Sequence, residues 1–227
     1  MLTISRSLKW LVYSLGLVLG VFLIQKLLNM SKSSIEDFIR FTKDWEGGLS
    51  KALTDTASKN SYPNGYHTNK GITKTTFESL SSKLKYIPSW ELFKAMPDKL
   101  WFEIFKQGYW NPYNLDDLVK TKPRIAYFIA GYAWGFGVFG AEVRLARFQR
   151  SVMGIVDNDI KPFEITANFK ADKRPESLRL RDLVESKAKA FVALNQPKNL
   201  KGWLNRLNDF QKKFNPSHLV DLKKYYL

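Results

Sequence analysis

The sequence predicts a mainly α fold, with an N-terminal transmembrane helix followed by a helical domain that carries one small irregular or β lobe. Three observations predict it. The run Trp10 to Ile24 carries no charge and is apolar almost throughout. From Ser33 onward, apolar residues recur at i, i+3 and i+4, the period of a helix with one buried face. Between residues 49 and 72 that period gives way to a stretch rich in Ser, Thr, Asn and Lys, with Asn64-Gly65 as its strongest turn signal.

Residues 1 to 32 read as a membrane anchor. A span needs about 20 apolar residues, so the run must extend through Leu27 and Leu28 while Lys26 snorkels to the headgroups. Arg6 and Lys9 also suit the positive start of a cleaved signal peptide. The exit sequence QKLLNMSKSS lacks the small-x-small pattern of a cleavage site, which favours a retained anchor.

The first soluble helix has Ser33 or Ser34 as its candidate N-cap and Ile35, Phe38, Ile39 and Thr42 along one face, and Gly47-Gly48 stops it. After the irregular lobe, Thr75-x-x-Glu78 reads as a capping box opening a helix that ends before Pro88. Ser89 or Trp90 starts a short helix stopped at Pro97. Asp98 caps the next, which carries Trp101, Ile104 and Phe105 to Gly108. Arg124 to Phe136, nearly apolar, is the expected central buried helix. Gly131, Gly135, Gly137 and Gly140 permit close backbone approach and a turn into the following helix, whose inner face holds Ala141, Leu145, Phe148 and Val152. A long helix is expected from about Glu176 to Asn195.

Chemistry concentrates at the end of the first soluble helix. At 100° per residue, Glu46 falls within about 20° of Ile35 and Ile39 on the helical wheel. It therefore lies on the apolar stripe with no Lys or Arg at helical spacing beside it. Burial disfavours the charged form, so such a carboxyl keeps its proton, as a general acid must. Asp55 follows nine residues on, in a polar setting that keeps it ionised. One protonated and one ionised carboxyl at a cleft suffice for sugar hydrolysis. The competing reading is a surface Glu at an ordinary helix end.

Glu46-Gly47-Gly48, then Asp55, then Thr68-Asn69-Lys70-Gly71-Ile72-Thr73 resembles the EGG…D…TxxGIT signature of glycoside hydrolase family 108, phage-type lysozymes that cut peptidoglycan. Tyr109-Trp110 after a helix, and Gly202-Trp203…Arg206 near the end, resemble further features of that family. The run from Phe148 to Pro162 resembles the start of its peptidoglycan-binding-like region. Two departures stand out. Residues 56 to 67 intervene between Asp55 and Thr68 where the family has far fewer, and the acid that relatives carry near Gly131 is missing.

The resemblance implies an α+β lysozyme-like fold in three parts: an anchor (1–32), a catalytic segment (33–147) and a helical peptidoglycan-binding-like region (148–227) packed on it. It implies a muramidase, of phage or prophage origin, that hydrolyses the β-1,4 bond between N-acetylmuramic acid and N-acetylglucosamine. Glu46, Asp55 and Thr68 would be catalytic. His67, Asn69, Tyr109 and Trp110 would touch substrate, with packing the first expectation for the Tyr-Trp pair. No metal or organic cofactor is implied. The alternatives are a lytic transglycosylase using Glu46 alone and a non-catalytic wall-binding protein. With an anchor, the chain would sit in a host inner membrane or virion membrane, its enzymatic part facing periplasm and wall.

Composition narrows the partners. The formal net charge is +15, which attracts anionic wall polymers, anionic membrane surfaces or nucleic acid. Lys and Arg are spread along the chain without a nucleic-acid-binding motif, so no nucleic acid partner is expected. There is no cysteine, which excludes disulfides and thiolate metal sites.

Overall fold

Helix α1 opens the described chain at residues 36–44, with Phe38 and Thr42 buried at i, i+4 as its apolar stripe requires. The structure is a computed structural model that describes residues 36–49, 68–157, 159 and 161–226. The chain divides into two compact units, Met1–Phe38 and Ile39–Leu227. Of the first, residues 36–38 are described, as the opening of α1. The second contains all that follows.

A two-stranded antiparallel hairpin leads into the helices. Strand β1 (Thr68–Asn69) pairs with β2 (Ile72–Thr73) in the register Thr68 to Thr73 and Asn69 to Ile72. Lys70 (φ 48°) and Gly71 (φ 76°) form its two-residue turn, and positive φ at both central positions is the signature of a type I′ turn. The Asn64-Gly65 turn signal lies outside the described residues. Asn69 is buried and donates its side-chain amide to the carbonyls of Phe93 (2.6 Å) and Lys94 (3.0 Å), anchoring the hairpin from within.

Helix α2 (Lys74–Lys83) starts two residues before the expected capping box. Its N-cap is Thr73, whose hydroxyl accepts from the Thr76 N–H at 3.2 Å, and Glu78 instead pairs with Lys74 at i, i+4. The cap moved because Thr73 ends β2 in extended backbone, the conformation an N-cap needs. Helix α3 (Trp90–Ala95) is capped by Ser89 as expected, its hydroxyl accepting from Leu92 N–H at 3.1 Å. Helix α4 (Asp98–Phe105) follows Pro97 and widens into a π-helical turn over Lys106–Trp110. A 3₁₀ turn (Asn111–Tyr113) and the short α5 (Leu115–Leu118) complete this half.

Helix α6 (Pro123–Met153) runs through the middle of the core and breaks its helical path at Gly137 (φ 71°, ψ 162°), the turn that the glycine run anticipates. Helix α7 (Pro162–Ala171) begins with Pro at its first position, where the missing N–H is no loss. Helix α8 (Glu176–Ala193) matches its expected span within two residues. Helix α9 (Pro197–Phe214) closes the bundle.

Helix α8 grips α6 through two unlike contacts. Glu176 accepts from the otherwise orphaned N–H groups of Arg124 (2.8 Å) and Ile125 (3.2 Å) at the start of α6. The buried amine of Lys187 donates to Gly131 O at 2.9 Å amid the rings of Phe128, Tyr132 and Phe191. Burial and the nearby Arg206 charge hold that amine well below its ordinary value.

At the base of α8, Arg179 donates to Asp172 at 2.6 Å, both side chains under 10% exposed. Removing one partner of such a pair strands a buried charge, so Arg179→Met is expected to lower unfolding stability by about 3–5 kcal/mol, read from urea midpoints. Burial pushes the Asp172 carboxyl up, but Arg179, the Arg174 N–H and Lys122 together bring it below its ordinary value. The unfolded chain therefore binds more protons in acid. The wild-type advantage is present above the unfolded carboxylate value of about 3.9 and is lost as pH falls through the lower folded value.

One expectation is corrected. The fold is mainly α with a small antiparallel sheet, but no helix among the described residues is long and apolar enough to cross a membrane. The segment on which an anchor was expected, residues 1–32, lies outside the described residues. Anchoring in a host or virion membrane, and the placement facing periplasm and wall drawn from it, are therefore unsupported. The physical reason lies in the sequence itself: the uncharged run reaches a full span only by carrying Lys26 within it.

Candidate active site

Glu46 stands just beyond the end of α1. Trp45 N–H bonds Thr42 O at 3.3 Å and Glu46 N–H bonds Lys43 O at 3.0 Å, so the last turn tightens to i, i+3 and carries the side chain inward while Trp45 stays exposed. The Glu46 side chain is 13% exposed. Its Oε1 accepts two hydrogen bonds, from Trp134 Nε1 at 2.6 Å and from Arg206 Nη1 at 2.6 Å. The helical wheel finds no cation beside this carboxyl on its own helix, but Arg206 of α9 supplies one from outside it.

The other oxygen faces the hairpin turn. A Cβ built on Gly71 would lie 2.6 Å from Glu46 Cδ and 2.6 Å from Trp134 Cζ2, and closer still to Glu46 Oε2. The glycine is therefore demanded twice, by its positive φ and by the carboxyl packed against it. The turn is held in place by Trp101 Nε1, which donates to Lys70 O at 2.9 Å, while the Lys70 amine turns away to Met96 O at 2.7 Å and to Asp98.

Trp134 is fixed by an aromatic cluster. Its ring lies 5.4 Å from Trp101, 5.3 Å from Phe105 and 4.9 Å, edge-on, from Tyr109. Burial, with an added push from the Glu46 charge and an opposing hydrogen bond to Thr76, drives the Tyr109 phenol up to about 12, so it is a neutral wall of the site. The π turn over Lys106–Trp110 sends the two neighbouring aromatics different ways: Tyr109 to Trp134, and Trp110 into the core. Trp110 is 2% exposed, lies tilted against Tyr127 and donates its indole N–H to Asp116 at 2.8 Å.

Of the residues singled out from sequence, the fold brings both Glu46 and Tyr109 against Trp134, and Thr68 pairs with Thr73 at the far end of the hairpin from the Gly71 turn. Asn69 is committed to backbone carbonyls and Trp110 to the core. Asp55 and His67 lie outside the described residues. Sequence reasoning missed Trp134 and the role of Arg206. Arg206 stood in the Gly202-Trp203…Arg206 element already noticed, whereas Trp134 gave no signal beyond lying in an apolar helix.

Residues 39–137 match the family model described as Glycosyl hydrolase 108. The match takes in Glu46, the hairpin, Tyr109 and Trp134, and it does not extend to α9. It supports glycoside hydrolase activity of the peptidoglycan-degrading, lysozyme-like kind. Among solved structures, the Structure of Brucella abortus SagA resembles the chain at a TM-score of 0.61 and 20% identity, covering 84% of this chain and 98% of that one. At that identity the likeness is one of fold. No curated protein matches the sequence.

Proposed function

We propose that the chain is a muramidase that hydrolyses the β-1,4 bond between N-acetylmuramic acid and N-acetylglucosamine, with Glu46 as the general acid. The observation that carries this reading is a nearly enclosed carboxyl with one oxygen held by two donors and the other, which has no donor on it among the described residues, able to carry a proton. As the glycosidic C–O bond breaks, that proton passes to the leaving oxygen, and water adds to the anomeric carbon. Asp55 and Thr68 supply the water-side groups in this proposal. The basic surface favours the anionic wall polymers among which such an enzyme works.

The product decides the chemistry. Digestion of purified peptidoglycan with the full chain should release fragments with reducing N-acetylmuramic acid ends, identified by mass spectrometry. Anhydro ends would reassign the protein as a transglycosylase in which the substrate's own hydroxyl attacks. Binding without release of any fragment would make it a wall-binding protein.

A further inference from the structure

Arg206 lies outside residues 39–137, the stretch that the family model matches, yet it touches the Glu46 carboxylate. Helix α9 places Arg206, Phe210 and Phe214 at i, i+4 and i+8, on one face. Phe210 and Phe214 pack edge-on against Phe41 of α1, with centroids 6.0 and 5.6 Å away, and this packing sets α9 beside the chain that continues to Glu46. Arg206 is thereby brought to Oε1 from 160 residues away in sequence.

We propose that Arg206 is the positioning residue for Glu46: with Trp134 it holds Oε1, so that the transferable proton sits on Oε2, and it stabilises the carboxylate left behind. The inference rests on the reading of Glu46 as general acid. An oxygen that already accepts two donors has no room for its own proton. When the proton leaves Oε2 for the glycosidic oxygen, the sugar departs as an alcohol and a full negative charge appears on Glu46. A guanidinium 2.6 Å away meets that charge as it forms.

The other groups around Glu46 do not replace it. Trp134 from α6 is a neutral donor, Tyr109 from the π turn stays neutral, and the hairpin turn presents Gly71. Lys70 is engaged with Met96 O and Asp98, and Lys187 with Gly131 O. Among the described residues, Arg206 is the cation in contact with the acid.

The test compares the full-length wild type, Arg206→Ala, Arg206→Gln and Glu46→Gln on purified peptidoglycan, by the kcat and KM of reducing-end release. Arg206→Ala should lower kcat about 10- to 100-fold with KM little changed. Millimolar guanidinium ion should restore part of the rate to Arg206→Ala and none to Glu46→Gln. Should Arg206→Ala melt below the assay temperature, Arg206→Gln carries the same kcat-against-KM comparison with a neutral donor in place of the guanidinium. A wild-type kcat in the folded variant, or a lowered kcat that guanidinium ion does not raise, would overturn the proposal while Glu46→Gln remained inactive. An active Glu46→Gln overturns the acid assignment itself, whatever the arginine variants do.

Discussion

Glu46→Gln is expected to lower reducing-end release from peptidoglycan by roughly 10²–10⁴-fold, the usual worth of a positioned proton donor, while leaving fold and glycan binding intact. The substitution is close to isosteric. The amide oxygen of Gln can take the place of Oε1 and accept from Trp134 and Arg206, and the amide nitrogen then occupies the Oε2 position against Gly71. It has no acidic proton to give. Loss of turnover with unchanged melting temperature and unchanged co-sedimentation with wall fragments is the expected pattern. Turnover within a few-fold of wild type would remove Glu46 from the chemistry.

Gly71→Ala should be nearly as damaging by a different route. The residue has φ 76°, where a Cβ costs about 1–2 kcal/mol from the backbone alone. The same Cβ would overlap the Glu46 carboxyl and the Trp134 ring, so either the turn or the acid must move. A displacement of about 1 Å at a catalytic group is worth on the order of 10²-fold in rate. Activity is thus expected to fall at least that far even where the protein still folds, as reducing-end assays and thermal melts made side by side will show. Gly47 and Gly48 are the control: a Cβ on either meets nothing within 4 Å, so Gly→Ala there should change stability by no more than about 0.5 kcal/mol. The Gly-Gly pair draws the eye in the sequence, but the sterically required glycine is the one in the hairpin turn.

Local rules read well from the chain because they act within one turn of backbone. Ser89 caps α3 as its position ahead of Trp90 implies, α8 spans its expected residues, and the glycine run before Ala141 turns at Gly137. Where two local rules competed, the chain chose by its neighbours: Thr73, already extended as the end of a strand, caps α2 in place of Thr75. Helix α7 carries only the weak signal of Pro162 with Glu164 two residues on, and its burial of Ile165 and Phe169 depends on surfaces offered by other elements.

By itself the sequence determined a helical protein with one acid placed at the end of an amphipathic helix, since period and caps are properties of neighbouring residues. Tertiary structure alone decided that Trp134 and Arg206 converge on that acid, that Asn69 and Trp110 serve the scaffold, and that Lys187 bonds the Gly131 carbonyl. These pairings join residues tens to more than a hundred positions apart. They are selected by which aromatic faces of α1, α6, α8 and α9 bury one another, and no one-dimensional period records that choice.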